Sequence, residues 1–138
     1  MVVGSTPAGG AIFDKGSLMT TVLLVEDDTQ TSNLLKILFD IEGIGCIIPQ
    51  DFLFDSIKSI IIEHKPDVIL MDVNLKQNNG ITLLKNFQEN KLLDNHMRII
   101  MTSGSDLRDE CIKAGADEFI LKPYMPDELL NKVKEHSS

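Results

Sequence analysis

The sequence predicts an α/β domain built on one parallel sheet, and three observations predict it. From Thr20 onward, five short apolar runs alternate with five longer amphipathic ones, the pattern of strands joined by crossover helices. Three of the short runs, at 22–25, 68–71 and 99–101, are apolar throughout, as strands covered on both faces should be. Four of the five runs lead directly into acidic, hydroxyl or basic residues, and in an open parallel sheet those carboxyl ends are where the loops converge on a site.

Taken in order, the first strand is placed at 22–25. The first helix starts at Asp28 or Thr29, whose side chains can cap free backbone N–H groups. It carries Leu34, Leu35, Leu38 and Ile41 as one stripe until Gly43 stops it. The second strand is placed at 45–48. The second helix runs from about Asp51 to His64 with Leu53, Ile57, Ile60 and Ile61 at helical spacing, and Pro66 blocks its continuation. The third strand, 68–71, is followed by a helix at 81–89. The fourth strand, 99–101, is followed by a short helix at 107–114 that ends at Gly115. The fifth strand, 118–121, precedes a helix that follows Pro126, turns Leu129, Leu130 and Val133 inward, and sets Lys132 and Lys134 near its negative end.

A chain of 138 residues, 43% apolar and 25% charged, fits one domain with a core of its own. The 18 residues before Met19, rich in Gly, Ser and Ala, lack periodicity and are read as a vector-derived leader rather than part of the domain, which spans 19–138; a natural flexible extension is the alternative. With 13 Lys and Arg against 21 Asp and Glu, the net charge of -8 argues against direct contact with nucleic acid. Cys46 and Cys111 lie far apart without metal-ligand spacing, and no secretory segment precedes them, so free thiols in a reducing cytoplasm are expected. No apolar run approaches the roughly 20 residues that span a bilayer.

The strand ends carry the chemistry. The first strand leads into Glu26, Asp27 and Asp28; the third ends at Asp72; the fourth at Thr102 and Ser103; the fifth at Lys122 and Pro123. Carboxylates gathered at one edge repel unless a divalent cation, a lysine or a proton compensates. Mg²⁺ suits such a cluster, because it takes hard oxygen ligands, keeps waters and binds phosphate. Asp72 follows four apolar residues, so its carboxylate sits at the tip of a rigid strand and can serve as a nucleophile toward phosphorus. Phosphoryl transfer further needs charge neutralisation and a hydroxyl donor, which Lys122 and Thr102 supply.

The runs VLLVEDD (22–28), VILMD (68–72), IIMT (99–102) and LKP (121–123) together resemble the receiver family of bacterial response regulators, over about 20–135. The resemblance implies a flavodoxin-like, doubly wound fold with strand order 2-1-3-4-5. It implies Glu26 and Asp27 as the acidic pair at a Mg²⁺ (or Mn²⁺) ion, Asp72 as phosphoacceptor and metal ligand, and Asn74 as a ligand through its backbone carbonyl. Thr102 becomes the switch hydroxyl and Lys122 the lysine on the phosphoryl group, with Pro123 holding its loop through a cis bond. Phe119, three residues before the lysine, becomes a switch aromatic that swings inward, and Gly80 fits the turn into the third helix. Implied partners are a sensor histidine kinase or phosphotransfer protein and an output domain or protein, with homodimerisation through helix four, strand five and helix five left open.

Two departures qualify the resemblance. Leu75 and Lys76 stand where the family often has Met-Pro, implying a looser, more basic loop after the phosphoacceptor. The interval from Thr102 to Lys122 is short, and the shortfall falls in helix four. A phosphatase of the haloacid dehalogenase type would want an acid two places after its nucleophile, where this chain has Asn74. A receiver-like adaptor that is never phosphorylated would not need the complete set. Asp28 reads as a cap or solvent residue, His64, His96 and His136 as surface residues, and Met97 and Met101 as core.

Overall fold

A computed structural model describes residues 19–135. The leader expected at 1–18 and His136 lie outside the described residues. Five strands alternate with five helices: β1 (Thr21–Val25), α1 (Thr29–Ile41), β2 (Gly45–Ile47), α2 (Phe54–His64), β3 (Val68–Asp72), α3 (Gly80–Glu89), β4 (Arg98–Ser103), α4 (Arg108–Lys113), β5 (Glu118–Leu121) and α5 (Pro126–Glu135). All neighbouring strands pair in parallel, in the order β2-β1-β3-β4-β5, so the chain has the doubly wound, flavodoxin-like α/β fold.

The two-residue period of a strand divides the core into two layers. Val22, Leu24, Val68, Leu70, Ile100 and Ile120 pack with Leu35 and Phe39 of α1 and with Leu129, Leu130 and Val133 of α5. The intervening residues, among them Leu23, Ile69, Met71, Met101 and Phe119, pack with α2, α3 and α4 through Ile57, Ile61, Leu83, Phe87 and Cys111. Met97 and Met101 are both core residues, 5% and 0% exposed.

Three local expectations are corrected. On α1 the buried stripe is Ser32, Leu35 and Phe39, with Leu38 only partly covered, whereas Leu34 and Ile41 are 51% and 72% exposed. Apolar residues on that helix spread over a little more than half of its circumference, and the sheet takes the end of that arc at Leu35 and Phe39. On the second helix, α2 begins at Phe54 and not at Asp51, because the Asp51 carboxylate accepts the Leu53 N–H (3.1 Å) in a local turn that competes with the helix. Leu53 is consequently half exposed. The fourth helix, α4, is a residue shorter at each end than 107–114, a compact connection of six residues. At the far end of α2, Lys65 takes a left-handed conformation (φ 44°) ahead of Pro66, since proline disfavours the helical region for its predecessor.

Candidate functional site

Alternation also places the polar residues. Continuing each strand two places past Leu24, Leu70, Ile100 and Ile120 arrives at Glu26, Asp72, Thr102 and Lys122, all on the α1–α5 side of the carboxyl edge. Asp72 and Thr102 are register partners on adjacent strands. Both are buried, 7% and 3% exposed, and Glu26 is 5% exposed.

Lys122 joins the acids. Its ammonium donates to Glu26 Oε1 and to Asp72 Oδ2, each at 2.9 Å. The other Asp72 oxygen, Oδ1, accepts the backbone N–H of Asn74 at 3.2 Å. Glu26 Oε2 accepts the N–H of Asp28 at 3.1 Å, and Asp27 Oδ2 accepts the N–H of Lys76. Carboxylate oxygens of Glu26, Asp27 and Asp72 come within 4.8 Å of one another.

The electrostatics follow from this arrangement. Burial pushes the Glu26 carboxyl above its ordinary value, against the pull of the Lys122 ammonium and the Asp28 N–H. Burial alone would lower the Lys122 ammonium, but its hydrogen bonds to Asp72 and Glu26 outweigh that and raise it. Lys122 therefore stays charged. The donor set around the cluster is three carboxylates, all hard oxygen, with Asp27 at the accessible side; this set fits a small hard dication that retains waters.

The loops that hold these groups are locally determined. Asn79 caps α3 by accepting the N–H groups of Ile81 and Thr82 (2.9 and 3.1 Å). Its neighbour Gly80 lies so close behind the site that a Cβ there would collide with the Asp72 carbonyl oxygen and lie 3.0 Å from Met101 Cε. That close approach, rather than an unusual φ, is why glycine is needed. The loop after Asp72, expected to be loose, is pinned: Leu75 turns into the core at 9% exposure and the Lys76 N–H holds Asp27. The Lys122–Pro123 peptide bond is cis. Beside it, a cavity of about 560 Å³ opens between α1 and the β5–α5 loop, with Leu34, Tyr124 and Pro126 in its wall and Lys122 at its edge.

Phe119, three residues before the lysine, faces the opposite layer. It is 3% exposed, packed in the α2–α3–α4 core, and the Arg108 guanidinium of α4 lies 5.4 Å from its ring centroid. Asp28 stands apart from the cluster, exposed, at the start of α1; the Thr31 hydroxyl donates to its carboxylate and lowers its pKa. His64 and His96 are exposed, His96 beside Asp94 and Asp67. Acids at the opposite edge are structural: Asp67 accepts the N–H of Thr21 and Asp117 that of Ile99, each at 2.8 Å. Cys46 and Cys111 are free thiols, both raised to about 11 by burial.

Sequence reasoning gave no role to Ser103, Asn79 or Arg108. A polar residue extending an apolar strand was the available signal for Ser103, and an Asn just before a helical run was the signal for Asn79.

Comparison with known proteins agrees with this fold. Residues 22–134 match the family model of the response regulator receiver domain. The phosphate regulon transcriptional regulatory protein PhoB of Pseudomonas aeruginosa is 27% identical over 116 residues, covering 83% of this chain and 50% of that protein. The chemotaxis protein CheY of Bacillus subtilis is 38% identical over 76 residues, covering 53% of this chain and 61% of CheY. Among solved structures, the Francisella response regulator 1452 receiver domain superposes with a TM-score of 0.74 at 28% identity, covering 85% of this chain and 95% of that one. The chain spans about half the length of the transcriptional regulators it matches. Among the described residues no helix is long and apolar enough to cross a membrane. The chain belongs to the response regulator receiver domain family, the phosphorylation-activated switches of two-component signalling.

Proposed function

We propose that Asp72 is the phosphoacceptor of this receiver. One observation carries the reading: the Asp72 carboxylate sits buried at the tip of β3, gripped through one oxygen by Lys122 Nζ and through the other by the Asn74 N–H, beside Glu26 and Asp27. An oxygen of Asp72 attacks the phosphorus of a phosphohistidine on a sensor kinase or phosphotransfer protein, or of a small phosphodonor. The O–P bond forms as the P–N bond breaks and the electron pair leaves on the imidazole nitrogen; with acetyl phosphate a P–O bond breaks instead and acetate leaves. The cavity between α1 and the β5–α5 loop reaches Lys122, the residue that holds this carboxylate. Water attack on the acyl phosphate later releases phosphate and restores Asp72.

A Mg²⁺ or Mn²⁺ ion, held by Glu26, Asp27, Asp72 and the Asn74 carbonyl, would neutralise charge on the phosphoryl oxygens. Lys122 turns from its carboxylate partners to a phosphoryl oxygen, and the Thr102 hydroxyl donates to another. Both movements shift the population of two packings around α4, β5 and α5. Phe119, beneath Arg108, is the aromatic whose position reports that shift. The output is a linked domain or a separate protein; homodimers through the α4–β5–α5 face are one form it can take. The domain itself makes no contact with nucleic acid, consistent with its net charge of -8, and it works in the cytoplasm.

Incubation with acetyl phosphate and Mg²⁺, followed by intact mass, tests the assignment. Wild type gains one phosphoryl group and Asp72→Asn gains none; an equal gain in both would contradict it.

A further inference from the structure

We propose that Ser103 is a positioning residue for chemistry at Asp72, acting through the Asn74 side chain and the Lys122 backbone. The proposal rests on the reading of Asp72 as phosphoacceptor. Ser103 ends β4, is polar, and is 0% exposed. Its hydroxyl oxygen accepts Asn74 Nδ2 at 3.3 Å and the Ser105 N–H at 3.1 Å. Its carbonyl accepts the Lys122 N–H at 2.8 Å.

Both of these outer partners hold Asp72. The Asn74 N–H is 3.2 Å from Oδ1, and Lys122 Nζ is 2.9 Å from Oδ2. One residue of β4 thus ties together the loops after β3, β4 and β5, and is hydrogen-bonded to both residues that grip the two carboxylate oxygens, through the Asn74 side chain and the Lys122 backbone. A hydroxyl suits this position because its two lone pairs can accept both donors. Alanine would keep the fold of the strand and the carbonyl bond to Lys122, and would release the Asn74 side chain together with the Ser105 N–H. Asn74 and Ser105 are exposed, so the freed donors can turn to water and little stability is lost. What is lost is the fixed orientation of the peptide that holds Asp72 Oδ1, and small misplacements of a reacting group slow a reaction disproportionately.

The test compares wild type, Ser103→Ala, Asn74→Ala and the double variant. The rate of phosphorylation by acetyl phosphate with Mg²⁺ is followed by intact mass, and hydrogen exchange is followed at the Asn74 amide. Each single variant should slow phosphorylation about fivefold, the worth of one neutral hydrogen bond. The double variant should be no slower than the slower single one, because the two side chains act as one unit. The Asn74 amide should exchange faster in Ser103→Ala. Ser103→Cys, close in size but a weak acceptor, should behave as Ser103→Ala does and serves if the alanine variant folds poorly. Multiplying effects in the double variant, or a full rate with unchanged Asn74 exchange in Ser103→Ala, would overturn the assignment. A wild-type chain that takes no phosphoryl group would instead overturn the phosphoacceptor reading itself.

Discussion

Lys122 reaches Asp72 across the end of β4, its ammonium 2.9 Å from Oδ2 although 50 positions separate the residues in sequence. The same ammonium holds Glu26 at 2.9 Å, so one cation balances two buried acids. Removing it should leave the carboxylates uncompensated. Lys122→Ala should therefore lose phosphorylation by acetyl phosphate by an order of magnitude or more, in line with about 10²–10³ for removal of one preorganised charge-stabilising donor. Rates from intact mass check this, and a rate within twofold of wild type would remove Lys122 from the chemistry.

Binding of a dication should stabilise the fold through the acidic cluster. At a free Mg²⁺ concentration about 100 times its Kd, the gain is about 2.7 kcal/mol. Asp27 lies on the accessible side of the cluster, so Asp27→Asn should lose most of the Mg²⁺-dependent rise in thermal midpoint while keeping its metal-free stability. Scanning calorimetry with and without Mg²⁺ makes the comparison. Equal rises in both proteins would move the ion elsewhere.

Glu26 gives the fold a distinct pH dependence in metal-free buffer. Burial raises its folded pKa above the ordinary glutamate value of 4.5, so the folded state holds this proton more tightly than the unfolded chain does. Its contribution is fully present below 4.5 and is lost as pH rises through the folded value. Glu26→Gln cannot ionise, and its stability should fall less than that of wild type between mild acid and neutrality. Urea midpoints across that range check the difference; parallel curves would count against it.

Gly80 supports the site from behind. A methyl group there would collide with the Asp72 carbonyl oxygen and crowd Met101 Cε, and overpacking of this kind costs about 1–3 kcal/mol. Gly80→Ala should lose that much in urea unfolding and should also slow phosphorylation, because the relief of the clash moves Asp72. Unchanged stability would mean that the backbone yields at no cost.

The parts of this molecule written in single strands were legible before folding. The apolar run into Asp72, and the positions of Glu26, Thr102 and Lys122 at the ends of their own runs, needed only the two-residue period and the topology of a parallel sheet. The α1 stripe differs because Leu34, Leu35, Ile37, Leu38, Phe39 and Ile41 spread over more than half of that helix's circumference, and only the sheet decides which arc is buried. The start of α2 turned on a side chain, Asp51, that competes for a backbone amide. The bond from Asn74 to Ser103 joins the loop after β3 to the end of β4, 29 positions away, and no local pattern encodes it. Phe119 was legible as a buried aromatic, but its partner Arg108 was not, since that contact depends on where a short α4 is laid down.

The most direct measurement of the central claim is chemical mapping of the phosphorylated residue. After reaction with acetyl phosphate and Mg²⁺, borohydride reduces an aspartyl phosphate to homoserine, and peptide mass spectrometry locates the change. Homoserine is expected at position 72 and nowhere else. Homoserine at Glu26-adjacent Asp27 or any other aspartate, with position 72 unmodified, would contradict it.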